Sequence, residues 1–122
     1  MAIDGDILIE FIRESNAIEN IHRAPRQTEI DIHEKLLARD EIIIADLVEF
    51  VWTVQPGANL RNRLDMDVWV GRHTPPPGGP DVQEMLDGLL QRISLRDISP
   101  WEAHATYETI HPFMDGNGRS GR

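Results

Sequence analysis

Twelve consecutive residues, His111-Pro112-Phe113-Met114-Asp115-Gly116-Asn117-Gly118-Arg119-Ser120-Gly121-Arg122, bring together an imidazole, one carboxylate, two guanidinium groups and three glycines. Proline at 112 disfavours helical geometry at the residue before it, so a preceding helix stops at His111 and turns the imidazole outward. Phe113 then anchors the turn in the core. Gly116, Asn117 and Gly118 let successive backbone N–H groups point into one concavity, an anion nest of the kind that opens a helix. Arg119 and Arg122, three residues apart, share a face of a helix starting there and can grip phosphate oxygens. Asp115 beside the nest suits Mg²⁺, which arrives with phosphate oxygens and prefers one or two protein carboxylates. Together these residues make a site for a phosphorylated ligand, with a histidine placed for proton transfer. The spacing Gly116-x-Gly118-x-x-Gly121 also fits a dinucleotide fingerprint, but that motif follows a strand and this one follows a helical pattern, so the Rossmann reading is set aside.

The elements that must position this run are mostly helical. Asp4 or Asp6 can cap a first helix with Ile7, Leu8, Phe11 and Ile12 on one face, and Ser15 to Ile21 either extends it or begins a second short one. Pro25 ends that unit. Thr28 is the expected N-cap of one long helical region reaching Val54, since Ile43, Leu47, Val51 and Val54 recur at helical spacing, and Pro56-Gly57 closes it. From Leu64 the period becomes two, with Leu64, Met66, Val68 and Val70 alternating with Asp65, Asp67 and Trp69, which predicts a strand. Gly71 to Pro80 cannot be helical and reads as a hairpin arm or loop. Val82, Met85, Leu86, Leu89, Leu90 and Ile93 then fit one face of a helix entered at Gly79-Pro80. Ser99-Pro100-Trp101-Glu102 is a capping box that starts a last helix towards Ile110.

Composition bounds what such a chain can do. Its 122 residues, 40% hydrophobic and 27% charged, suit one globular domain with its own core. Without cysteine there is no disulfide, thiolate metal site or cysteine nucleophile. No apolar run exceeds Ile42 to Ala45, and Met-Ala-Ile-Asp-Gly-Asp is not a signal peptide, so the expectation is a cytoplasmic protein. A net charge of −9 argues against nucleic acid or anionic lipid as partner, whereas Asp115, Arg119 and Arg122 leave the last twelve residues at +1. An anionic ligand is repelled by most of the surface and accepted at that end.

The run from His111 to Arg122 resembles the Fic (Fido) signature His-Pro-Phe-x-Asp/Glu-Gly-Asn-Gly-Arg-x-x-Arg at every specified position. Upstream, Ala103-His104 and Tyr107 to Ile110 are similar to the helix before that motif, and Val68 to Pro77 to the flap that holds a target segment. Ser15-Asn16-Ala17-Ile18-Glu19-Asn20 resembles the family's inhibitory motif, Ser/Thr-x-x-x-Glu/Asp-Gly/Asn, in its N-terminal placement. The resemblance implies a mainly α fold, a Fic-type helical bundle with a short β-hairpin flap. It divides the chain into an N-terminal helical segment, 1–27, and a core, 28–122. The family core continues with at least two more helices beyond Arg122, so function is read for the complete domain.

The implied activity is transfer of AMP from ATP to a Tyr, Thr or Ser hydroxyl of a target protein, with self-modification and oligomerisation left open. His111 would be the general base and Asp115 the Mg²⁺ ligand. Gly116, Asn117 and Gly118 would cradle the phosphates, and Arg119 and Arg122 would contact the outer ones. Val70, Gly71, Arg72, His73 and Thr74 would form the flap that binds the target. Ser15, Glu19 and Asn20 would form the inhibitory element, Glu19 pairing with Arg122. Removal of AMP, transfer of another phosphate-linked group, and a non-catalytic nucleotide- or partner-binding module are the alternatives. Elsewhere, His104 is read as packing or hydrogen bonding, His22, His33 and His73 as surface residues, and Trp52, Trp69 and Trp101 as packing residues. The triple proline reads as a stiff loop.

Overall fold

The computed structural model describes residues 4–122, so the N-terminal segment drawn from residue 1 is seen from Asp4, its first three residues lying outside the described ones. Among the described residues six helices follow in order: α1 (Gly5–Ile18), α2 (Gln27–Leu37), α3 (Ile44–Val54), α4 (Pro80–Ser94), α5 (Pro100–Ile110) and the short α6 (Asn117–Gly121). The fold is mainly α. None of the described helices is long and apolar enough to cross a membrane.

Local chemistry sets most of the boundaries. Asp4 caps α1 by accepting from the N–H groups of Asp6 (2.9 Å) and Ile7 (3.3 Å). The helix extends through Ile18 and ends in a Schellman turn, with Asn20 N–H on the Ala17 carbonyl, Ile21 N–H on the Asn16 carbonyl, and Asn20 at φ 62°. Asparagine tolerates that left-handed geometry, which gives the last position of the Ser15 to Asn20 motif a backbone reason. Gly79 and Pro80 open α4, and Ser99 Oγ accepts from Glu102 N–H (3.1 Å) to open α5.

The single helix expected from Thr28 to Val54 is two helices. The N-cap is Arg26, not Thr28, and the chain leaves helical geometry between Leu37 and Ile44. A straight helix over that span would be about 40 Å long and could not fold its own apolar face onto itself. Instead, Asp46 accepts from Ile43 N–H (3.0 Å) to restart the helix, α3 turns back along α2, and Lys35 meets Glu49 across the pair at 2.7 Å. Ile32 of α2 then joins Leu47, Phe50, Val51 and Val54 of α3, Val82, Leu86, Leu89 and Leu90 of α4, and Tyr107, Ile110 and Phe113 in one core.

The strand expected over Leu64 to Val70 does not form. Alternation places side chains but does not supply a partner, and a strand without one leaves its N–H and C=O groups unpaired. Leu64 and Trp69 are exposed, and the segment is irregular apart from one antiparallel bridge between Val70 and His73. That bridge, closed by Gly71 at φ 58°, reduces the expected hairpin flap to a single rung. The tryptophans also depart from expectation. Trp52, Trp69 and Trp101 are 48%, 75% and 75% exposed, because each lies on the outward side of its segment.

His33 is buried rather than on the surface. It lies on the same face of α2 as Glu29 and Ile32, edge-on to Phe11 and Phe50, with Nδ1 2.6 Å from the Glu29 carbonyl, and burial lowers its pKa. Glu29 itself is a buried carboxylate that joins α1 to α2. It accepts from Asn16 Nδ2 (3.1 Å), Arg23 NH1 (2.5 Å) and Arg26 N–H (2.8 Å). Burial pushes its pKa up, but the bonds from Arg23, Arg26 and Asn16 outweigh that and hold it below the ordinary glutamate value. A carboxyl with a lowered folded pKa stabilises above its unfolded pKa of about 4.3 and loses that contribution as pH falls through the folded value. Glu29→Gln is therefore expected to destabilise the protein by about 1–3 kcal/mol at pH 7 in urea unfolding. The difference from the parent should shrink as the pH falls below about 4. A variant equally destabilised at all pH values would show that the charge contributes nothing.

Candidate active site

Helix α5 brings the chain to His111, which caps it in the left-handed region at φ 50° and ψ 62°. Pro112 excludes a further helical turn, and Phe113 enters the core fully buried. The turn is held from outside the motif: Leu60 bridges Phe113, Arg61 N–H donates to the Pro112 carbonyl (2.8 Å) and Met114 N–H to the Asn59 carbonyl (2.9 Å). From inside, the Asn117 side chain accepts from Phe113 N–H (2.8 Å) and donates to the Phe113 carbonyl (2.7 Å). Asn117 can therefore serve a nest only through its backbone, since its amide is committed to the loop.

Gly116 is the N-cap of α6 at φ 77°, where its missing side chain also spares a 3.2 Å approach to Val51 Cγ1. Asp115 is exposed and uses Oδ1 to accept from Gly116 N–H (2.8 Å). Its other oxygen faces no protein donor among the described residues. No group of three His, Asp or Glu among those residues could enclose a metal. A single exposed carboxylate beside a nest fits Mg²⁺ arriving with nucleotide phosphates, which supply most of its ligands, rather than a resident ion.

The two arginines diverge. Arg119, 4% exposed, runs to α3 and donates from NH2 to Gln55 Oε1 (2.9 Å), while its Nε and NH1 are buried without a partner among the described residues. Arg122 runs to α1, donating from Nε to Ser15 Oγ (3.0 Å) and from NH2 to the Ser15 carbonyl (3.2 Å) and Glu19 Oε1 (2.6 Å). Two residues 103 positions apart thus form an ion pair. The Glu19 carboxylate also lies against the nest: a Cβ on Gly118 would come within 2.3 Å of its Oε1. The Glu19 carboxylate thus occupies the space beside Gly118 at the start of α6.

Burial and the positive charge of Arg61 lower the His111 pKa, with His73 adding to the effect and the Glu108 backbone and Asp115 opposing it. A neutral imidazole at physiological pH is the form that can accept a proton. Val70, Gly71, Arg72, His73 and Thr74 lie in the loop beside α5, exposed, and His73 Nε2 is 3.0 Å from the Thr109 carbonyl, two residues before His111. His104 hydrogen-bonds through Nδ1 to the Gly121 carbonyl (3.1 Å), as its reading required. Of the residues read as one face of α1, Leu8 and Ile12 are buried, while Ile7 and Phe11 line an apolar groove of about 640 Å³ that reaches Arg119 and Arg122.

Of the residues read from sequence, Ser15, Glu19, Asp115, Gly116, Gly118, Arg119 and Arg122 converge around α6, and the loop from Val70 to Thr74 is brought next to α5. Asn20 shapes the end of α1 instead, and its Oδ1 meets His22 Nε2 at 3.0 Å rather than Arg122. Gln55 and Arg61 had no sequence signal, because each acts through partners far along the chain, whereas Glu29 takes its donors from Asn16, Arg23 and Arg26 nearby.

A family model described as Fic/DOC matches residues 14–122. Curated proteins named protein adenylyltransferase Fic are similar over the whole chain: 31% identical in Drosophila erecta, 33% in Drosophila persimilis and 34% in Drosophila willistoni. The chain spans about a quarter of the length of these relatives, 25%, 24% and 25% respectively. No solved structure matches it significantly. The signature, its turn and nest, and the matched span agree that this chain belongs to the Fic/DOC family.

Proposed function

We propose that this chain is the catalytic part of a protein that transfers AMP from ATP to a hydroxyl side chain of a target protein, and that Glu19 restrains it. The observation that carries this reading is the folded signature itself: a left-handed histidine cap, a glycine nest and two arginines around one anion-accepting helix start, in a family whose relatives bear the name protein adenylyltransferase. Neutral His111 takes the proton of the attacking hydroxyl as its oxygen bonds to the α-phosphorus, and pyrophosphate leaves. The backbone of Gly116 to Gly118 holds phosphate oxygens. Arg119, with two nitrogens unpartnered among the described residues, and Arg122, once released from Glu19, neutralise the outer phosphates. Asp115 would hold Mg²⁺, which when bound offsets the charge of the phosphates. Such transfer needs positioning and charge neutralisation more than covalent chemistry.

The test is to incubate the full-length protein with ATP labelled at the α- or γ-phosphate. Label from the α position alone should reach protein, with pyrophosphate released. Label from the γ position, or tight binding without any labelling, would replace this reading with a phosphotransferase or a binding module. Within the same assay, Asp115→Ala is expected to lower transfer at least tenfold and flatten its Mg²⁺ dependence, because a metal clamp is worth several kcal/mol of charge stabilisation. A variant that responds to Mg²⁺ as the parent does places the ligand elsewhere.

A further inference from the structure

We propose that Arg61 is a positioning residue for the transfer step, fixing the loop over residues 66–76 against the turn that carries His111; the proposal deepens the transferase reading and rests on it. Arg61 is 0% exposed, and no carboxylate lies within ion-pair distance of it among the described residues. Asp67 offsets its charge only from beyond that distance, and a buried cation so placed is costly unless its hydrogen-bonding capacity is satisfied. Here four carbonyls satisfy it. Nε donates to the His111 carbonyl (2.7 Å), NH2 to the Ile110 carbonyl (2.8 Å), and NH1 to the carbonyls of Met66 (3.1 Å) and Pro76 (2.8 Å).

The choice of acceptors is what points to positioning. Ile110 and His111 end α5, which has no basic residue in its own last turn, so the charge that suits a helix C-terminus comes from a residue about fifty positions earlier. Met66 and Pro76 are the two arms of the loop that holds Val70 to Thr74. One planar guanidinium therefore touches the peptide group of the proposed base and both arms of the proposed target-binding loop.

The surroundings add rigidity. Gly79 N–H donates to the Arg61 carbonyl (2.9 Å), and Asp67 Oδ1 accepts from Gly78 N–H (2.8 Å), closing the loop at its base. Gly78 cannot carry a side chain there, since a Cβ would lie 2.5 Å from the Met66 carbonyl oxygen. Lysine is the informative replacement. Its ammonium keeps the charge at the end of α5 but lacks the fork that reaches the helix end and both arms together.

The experiment uses the full-length protein carrying Glu19→Gly as parent. Arg61→Lys is expected to lower kcat for AMP transfer about 10- to 100-fold, because a misplacement near 1 Å costs on that order. The KM for ATP and the nucleotide-binding stoichiometry should stay within about twofold of the parent. The amides of Val70 and His73, which bond to each other's carbonyls at 3.2 and 2.9 Å, should exchange with solvent faster. Arg61→Met, which removes charge and fork together, should be slower still; if it does not fold, the lysine variant decides. An unchanged kcat overturns the proposal, and so does a fall in kcat matched by a fall in binding stoichiometry, which would assign Arg61 to the fold alone. The exchange measurement needs no activity. A parent that transfers no AMP therefore sinks the transferase reading, while unchanged exchange at Val70 and His73 sinks this one.

Discussion

His111→Ala in the full-length protein is expected to leave ATP affinity within about twofold and to lower AMP transfer by roughly 10²- to 10⁴-fold, the range of a lost general base. The separation follows from geometry. His111 stands at the end of α5, whereas the proposed phosphate-binding backbone begins at Gly116, Arg119 lies on α6 and Arg122 caps its end. The pH profile gives an independent check with a defined sign. Burial and Arg61 lower the imidazole pKa, so the base stays neutral to lower pH than a free histidine. Activity is then lost as pH falls through that lowered value, and the acid limb of kcat/KM should lie below about 6.5. Calorimetric ATP titration beside initial rates with α-labelled ATP decides the first point. Wild-type rates in the alanine variant would remove His111 from the chemistry.

Arg122→Ala is expected to lower transfer on the order of 10²-fold or more, as removal of an arginine from a phosphoryl-transfer site does. Glu19→Gly should raise it. In this structure Arg122 gives its NH2 to Glu19, which on the proposed reading competes with phosphate for the guanidinium, and the Glu19 carboxylate lies beside Gly118 where phosphate oxygens would rest. A charge-assisted pair is worth roughly 1.5–3 kcal/mol. The Glu19 side chain is 40% exposed, so screening takes the lower end of that range, about a tenfold activation. The double variant should match Arg122→Ala alone, since freeing an absent residue gains nothing. Initial rates of all four forms at saturating ATP carry the result. Equal activation by Glu19→Gly in both backgrounds would falsify the pairing as the means of restraint.

What the sequence determined about this protein was its local chemistry. Pro112 stopped α5 at His111, Gly116 took the left-handed cap of α6, Pro80 and Ser99 opened α4 and α5, and the apolar spacing from Val82 to Leu90 set a buried face. Each depends on residues within a turn or two of one another, and such effects act before the chain folds. The Ser15 to Asn20 motif was legible as a pattern, and its asparagine proved to serve a left-handed turn. Tertiary structure decided what needed a partner. The region from Thr28 to Val54 broke in two because α3 buries its face by turning back on α2, and Leu64 to Val70 formed no strand because no neighbouring backbone pairs with it beyond the one rung between Val70 and His73. His33 went inside and Trp69 outside because packing geometry, not residue type, assigns faces. Glu29 and Arg61 gained their roles only when the fold surrounded one with three donors and the other with four carbonyls. Burying a charge is favourable only when every partner arrives together, and those partners lie up to fifty residues away, beyond the reach of any local pattern.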